Sequence, residues 1–448
     1  MEVKEFVEKN IENMKADLKE LVSYNSVFAK DAEPFGLENR KVLDKAIELM
    51  NNKGFKTTNM DYYCGYGEVG EGKDLIGVVA HLDIVPVGEG WDTNPFEMVE
   101  KDGWLFGRGV SDDKGAAIAS MYAIKYLLDE KYPFKKRVRL LLGCNEETGS
   151  MGIRHYVKND EPLTYGFTPD GDFPGIYAEK GMIGGKIVGH NSKIIDINGG
   201  EASNVVCKKV VCLLPLNSFD EAKLDEFFKK HNIKYEINKV DIITLTVYGT
   251  AAHASTPDLG VNAINYLFEG LYYADINDSF INFFHRSFAL TNHGELLGYE
   301  EVKDDVSNTS INFGVAKKRG NDIIVSLDMR FPVKTDSDTC YKLLEKCEDE
   351  ENEFALASKV EPLYFDVNSP MIKALKKAYV DITGDDKTEM EAIGGGTYAK
   401  AINNCIAFGC EFPNANNHIH DANERLNIEE FKKQVELYVQ AIKNLNEI

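Results

Sequence analysis

Aliphatic runs in this chain break off abruptly into acids and imidazole. Leu75-Ile76-Gly77-Val78-Val79-Ala80 leads into His81-Leu82-Asp83, and Val138-Arg139-Leu140-Leu141-Leu142-Gly143 leads into Cys144-Asn145-Glu146-Glu147. Short runs with almost no polar alternate read as strands covered on both faces. A helical pattern at 116–130 lies between them. Strand, helix, strand in that order favours parallel pairing in an α/β domain. Ionisable groups at the ends of such strands collect along one edge of the sheet, where open α/β folds bind their ligands.

The rest of the chain extends this frame and then departs from it. Phe6, Ile11, Met14, Leu18, Leu21 and Val22 recur at helical steps within 4–26, and a second helix over 37–53 stops at Gly54. From about residue 183 the texture changes to strand-like segments at 183–188, 209–214, 242–248 and 323–329, with helical stretches at 219–231, 260–273 and 338–348. Helical patterns return at 369–382 and 428–445, around Gly394-Gly395-Gly396-Thr397. The expected organisation is a catalytic domain built from residues 1–182 and 367–448, interrupted by an α+β lid over 183–366.

Composition narrows the partners. Acidic side chains outnumber basic ones 73 to 51, a net charge of −22, so the long-range field repels nucleic acid and anionic membrane surfaces. The first residues lack the basic and apolar regions of a signal peptide, and no run of 18 apolar residues occurs, so a cytoplasmic location without a membrane partner is expected. No CxxC pair occurs among the 8 cysteines, which are read as reduced and mostly buried. Gly67 to Asp74 nearly spells a phosphate-binding loop, but it ends in Asp where Ser or Thr should hold magnesium, and it precedes a strand. A turn is the expectation there. Trp91 and Trp104 are expected to pack, not to serve as a recognition platform.

Several segments carry metal-type donors, and each has an ordinary structural reading when taken singly. His81 and Asp83 share a face in extended chain, where a hydrogen-bonded histidine is common. Ser111-Asp112-Asp113 between glycines suits a helix cap, yet a carboxylate such as Asp112 can also give one oxygen to each of two cations. Glu146-Glu147 can be a solvated turn, or a metal ligand beside a proton acceptor. Thr168-Pro169-Asp170 adds an acid, and Asn417-His418-Ile419-His420-Asp421-Ala422-Asn423-Glu424 adds imidazole. Their combination says more than any one of them.

Together these segments resemble those of the M20 family of metallopeptidases, in its dipeptidase branch of PepV-like and carnosinase-like enzymes, over essentially the whole chain. The resemblance implies a zinc-peptidase-like catalytic domain, with a mixed and mostly parallel sheet flanked by helices, and an enlarged ferredoxin-like lid. It implies that His81, Asp112, Glu147, Asp170 and His420 bind two divalent metals, Zn2+ first with Mn2+ or Co2+ as alternatives, and that His418 is only a neighbour. It further implies that Asp83 orients His81, that the bond after Asp112 is cis, and that Glu146 is the general base for a metal-bridging hydroxide. His253 would polarise the scissile carbonyl, and Arg330 with the amides of Gly395, Gly396 and Thr397 would grip a substrate carboxylate. Asn204 matches an asparagine near the oxyanion, although Cys207 stands where proline is usual three residues later. The implied activity is hydrolysis of dipeptides, the small peptide being the only partner expected. The enlarged lid implies a monomer with His253 acting in cis. An M20 deacylase of N-acyl amino acids or succinyl-diaminopimelate is the alternative, and a metal-free binding protein on the same fold should have lost ligands that this chain retains.

Overall fold

The computed structural model describes residues 1–299, 304 and 306–448. They form two compact units, one of Met1–Ala178, Phe365–Glu391 and Gly396–Ile448, the other of Glu179–Tyr364 with Ala392–Gly395.

In the first unit, all seven residues of the strand Leu75–His81 are buried. A strand so enclosed must have covered neighbours on both sides and both faces. It lies between Arg137–Gly143 and Tyr165–Thr168, with Cys405–Ala407 beyond the latter, and these four strands run parallel. The hairpin Lys56–Met60 with Cys64–Val69 extends the sheet antiparallel on one side, and Ile176–Glu179 adds an antiparallel strand on the other. The sheet is therefore mixed around a parallel centre, as expected.

Helices Val3–Val22, Lys114–Asp129 and Ile428–Glu447 pack on one another, and the last two also reach the strand Leu75–His81. The first of them buries Phe6, Ile11, Met14, Leu18, Leu21 and Val22, the stripe legible in the sequence. Each such side chain contributes roughly 1.5–3 kcal/mol once fully buried, so tertiary packing holds the helix more than its propensity does. Residues Gly67 to Asp74 end one strand and turn into the next, with Gly70 and Gly72 at positive φ.

The second unit is α+β. Among the described residues its sheet of nine strands is antiparallel throughout, and Gly181–Gly189 pairs along its whole length with residues 323–331 of the strand Asp322–Phe331. Ile243–Tyr248 buries alternate residues, as a strand with a single covered face does. Helices Glu221–Lys230, Ala263–Tyr273 and Ser279–Ser287 carry apolar faces that join the same core.

All eight cysteines are free thiols and seven are buried. Among the described residues no helix is long and apolar enough to cross a membrane.

Candidate metal centre

Parallel register sets His81 directly beside Gly143, so the turn that carries Glu146 and Glu147 starts next to the imidazole. Asp170 follows the neighbouring parallel strand Tyr165–Thr168. Asp112 precedes the helix Lys114–Asp129, and the Asp112–Asp113 peptide is cis. His420 arrives on a loop in a left-handed conformation, φ 65°. The strands thus supply fixed positions, and the loops bring the remaining donors to them.

Asp112 lies at the middle of the group. Its Oδ1 is 2.9 Å from His81 Nε2, and its Oδ2 is 2.9 Å from His420 Nε2. Asp170 Oδ2 stands 3.8 Å from the same His81 nitrogen, and Glu147 Oε1 is 3.2 Å from His420 Nε2. The two oxygens of Asp112 thus face different imidazoles, and His81, Asp112 and Glu147 also offer donor atoms within 4.8 Å of one another. Glu146 is near as well, since it, His81 and Asp170 offer donor atoms within 4.8 Å of one another. His418 makes none of these contacts and is exposed.

The donor set fits a cation. His81 Nδ1 is 3.0 Å from the carbonyl oxygen of Asp83, which can only accept, so Nδ1 carries the hydrogen and Nε2 presents its lone pair. That Nε2 and Asp112 Oδ1, both buried, have no hydrogen-bond partner although they face each other. Lone pairs so aimed suit a positive charge between them, and a proton answers this need when no cation does. Burial disfavours the His81 cation, yet Asp112, Asp83 and Asp170 hold its pKa well above the ordinary imidazole value. His420 is pushed up to about 10 by its hydrogen bonds with Asp112 and Glu147. Asp112 is drawn well below the usual carboxylate range: burial opposes its ionisation, and the two imidazoles outweigh burial. Glu146 moves the other way, raised by burial and then by the charge of Asp170.

Asp83 faces His81 Nδ1 with its backbone carbonyl at 3.0 Å and a carboxylate oxygen at 3.6 Å, and its carboxylate oxygens accept the backbone amides of Glu146 at 2.9 Å and Glu147 at 3.1 Å. The acid thus holds the turn that carries the other two. Three further residues escape a reading of the sequence. Asp113 accepts the His81 backbone amide at 3.1 Å. Tyr398 sets its ring edge-on to the imidazole, with centroids 5.8 Å apart. Glu424 is buried and bonded to the loop that ends in Asp112. Adjacency to recognised motifs was the only available signal for Asp113 and Glu424, and Tyr398 had none.

The remaining predicted residues divide between the units. Gly396 and Thr397 belong to the first, where the Thr397 hydroxyl accepts from the Ala399 amide and caps the short turn Tyr398–Ala401. Asn204, His253, Arg330 and Gly395 belong to the second. There the Asn204 carbonyl accepts the Ala254 amide at 2.9 Å, which sets its segment alongside His253, and Cys207 is buried. The Ser255 amide donates to His253 Nδ1 at 3.2 Å, so Nδ1 is the acceptor and the hydrogen of the neutral ring sits on Nε2. Partial burial of this otherwise exposed ring, with Arg330 second, lowers the His253 pKa. Arg330 is not a free fork: Asp328 accepts from Nε at 2.6 Å and Nη2 at 3.0 Å, and the Gly394 carbonyl accepts from Nη1 at 3.1 Å.

Known proteins resemble this chain in sequence and in fold. The family described as Peptidase family M20/M25/M40 matches residues 77–444. The chain belongs to peptidase family M20. A Staphylococcus aureus strain USA300 protein, whose name provisionally assigns it as a dipeptidase, is 32% identical over 99% of both chains. Among solved structures, human carnosine dipeptidase 1 matches with a TM-score of 0.63 at 14% identity, over 100% of this chain and 98% of that one. The di-peptidase Dug1p of Saccharomyces cerevisiae gives 0.61 at 15% identity, over 100% and 98%. Those two likenesses concern the fold. The M20 chain sits in the family's dipeptidase branch, is a hydrolase of peptide bonds, and carries a candidate metal centre.

Proposed function

We propose that this M20 peptidase is a dipeptidase working with two divalent cations. The observation that carries the reading is the division of Asp112 between two imidazoles, each 2.9 Å away. His81, Asp112 and Asp170 would hold one cation, and His420, Asp112 and Glu147 the other. A mixed imidazole and carboxylate set suits Zn2+ first, with Mn2+ and Co2+ also fitting. When bound, such cations supply Lewis-acid charge that lowers the pKa of water towards about 7.

The chain's own residues do the rest. Glu146, raised by burial and by Asp170, is basic enough to take a proton from the attacking water and to return it to the leaving amine. His253, neutral with its hydrogen on Nε2, is a donor for the scissile carbonyl as negative charge grows there. Asn204 would support the same oxygen. Arg330, oriented by Asp328 and engaged through Nη1 by the Gly394 carbonyl and Met182 Sδ, contributes its one remaining hydrogen to the free carboxylate, with the amides of Gly395, Gly396 and Thr397. Reading a chain end in this way restricts the substrate to very short peptides. The inserted unit, read as an enlarged lid, supports a monomer in which His253 serves its own chain.

The test is turnover of dipeptides, tripeptides and N-acyl amino acids by metal-free protein restored with single metals. Cleavage of dipeptides in preference to the other two classes is expected. Turnover of N-acyl amino acids alone would move the assignment to a deacylase.

A further inference from the structure

We infer that Glu424 is a positioning residue whose single carboxylate holds Asp112 and His420 in register as ligands of one cation. The inference rests on the two-cation reading and adds a residue that touches neither substrate nor the proposed ions.

Glu424 is 1% exposed, and its carboxylate accepts four hydrogen bonds from the loop that ends in Asp112. Oε2 accepts from Arg108 Nη1 at 2.7 Å and from the Gly109 amide at 3.0 Å. Oε1 accepts from the Ser111 amide at 3.0 Å and from the Asp112 amide itself at 3.1 Å. A carboxylate is the one side chain able to accept from four donors at once, so this loop is shaped around an acid. Arg108 is held in turn, its guanidinium over the Trp91 ring at 5.2 Å.

The backbone continues the clamp. The Glu424 carbonyl accepts the Gly107 amide at 3.1 Å. The next residues, Arg425–Asn427, pair antiparallel with Trp104–Phe106. His420 stands four residues before Glu424 on the same segment, so one side chain ties the loop of Asp112 to the loop of His420. Two ligands that lie 308 positions apart in sequence (420 − 112) are thereby fixed as a pair. Asp112 Oδ2 and His420 Nε2 stand 2.9 Å apart as a result. Partners that orient metal ligands typically cost 10–100-fold in affinity when they are removed.

A purely structural clamp and a positioning residue differ in what they leave behind. The former lowers stability and spares the site in molecules that fold, while the latter weakens cation binding, most at the site that takes both Asp112 and His420. Zn2+ titration of metal-free protein against a chromophoric chelator reads both stepwise affinities, with circular dichroism giving the folded fraction. Glu424→Gln leaves Arg108 buried without its counter-ion, so two further variants accompany it: Glu424→Asp, which keeps the charge on a shorter arm, and Arg108→Gln/Glu424→Gln, which removes both charges. The native chain is expected to bind two Zn2+ ions. The folded variants are expected to bind the more weakly held ion roughly 10–100-fold less tightly and the other with a smaller loss, since Asp112 serves both, with Glu424→Asp the mildest. Two unchanged affinities in a folded variant overturn the inference, as does failure of all three variants to fold, which marks a structural clamp. Uptake of fewer than two ions by the native chain overturns the two-cation reading itself, and the inference with it.

Discussion

Two adjacent acids on one turn show how much environment decides. Glu147 faces His420, whereas Glu146 lies near Asp170 and is raised by burial and like charge. Glu146→Gln keeps the shape of the side chain and removes its basicity. The variant should still bind two metal ions while kcat falls at least about a hundredfold, the lower end of proton-transfer catalysis. Near-normal turnover in stopped assays rejects the base, and loss of a metal ion makes Glu146 a ligand instead. The same charges predict how the metal-free protein responds to pH. Burial raises Asp83 to about 6 and Glu411 to about 7, and hydrogen bonds raise His420 to about 10. A group whose folded pKa is raised contributes fully below its unfolded value and loses that contribution as pH climbs through the folded one. Stability of the metal-free chain should therefore decline between about pH 4 and pH 10 on account of these groups, and metal should offset the loss because it needs the deprotonated ligands. Melting temperatures with chelator and with Zn2+ across that range check it. A metal-free Tm that rises with pH above 6 contradicts it.

At the scale of elements, the parallel strands act as a ruler. Pairing of Leu75–His81 with Arg137–Gly143 fixes where one strand's ligand stands relative to the other's turn. Gly143 is required at that junction, because an added Cβ would come 2.2 Å from the Tyr398 hydroxyl. Tyr398 is wholly buried, so it has no room to yield. Gly143→Ala should lower stability by about 1–3 kcal/mol, the usual cost of overpacking, and should weaken metal binding as Tyr398 is driven towards His81. Denaturant midpoints and Zn2+ affinity measure the two effects. An unchanged midpoint would show that the turn Tyr398–Ala401 shifts freely.

For the whole molecule, the path of the chain matters. It leaves the first unit near Ala178, builds the second, returns at Phe365, and lends Ala392–Gly395 to the second before finishing. Donors proposed for the metals lie in the first unit, and the proposed carbonyl and carboxylate donors His253 and Arg330 lie in the second. If the second unit serves its own chain, sedimentation should give the mass of one chain, with specific activity independent of concentration. A dimer whose dilution abolishes activity would assign His253 to a partner.

The sequence by itself determined the strands, the helices of the first unit and the kinds of donor at the strand ends. Apolar runs and helical spacing are local signals, and carboxylates cannot follow a buried strand unless something compensates them. The motif frame also separated His420 from His418. Only the tertiary structure decided what holds those donors. Asp83 grips the turn of Glu146 and Glu147, Asp113 supports the His81 backbone, and Glu424 gathers the amides before Asp112. Most of these partners are backbone N–H groups, which nearly every residue has, so no residue type announces them. Their meeting depends on register and on segments up to 315 positions apart, and it exists only once the sheet has formed.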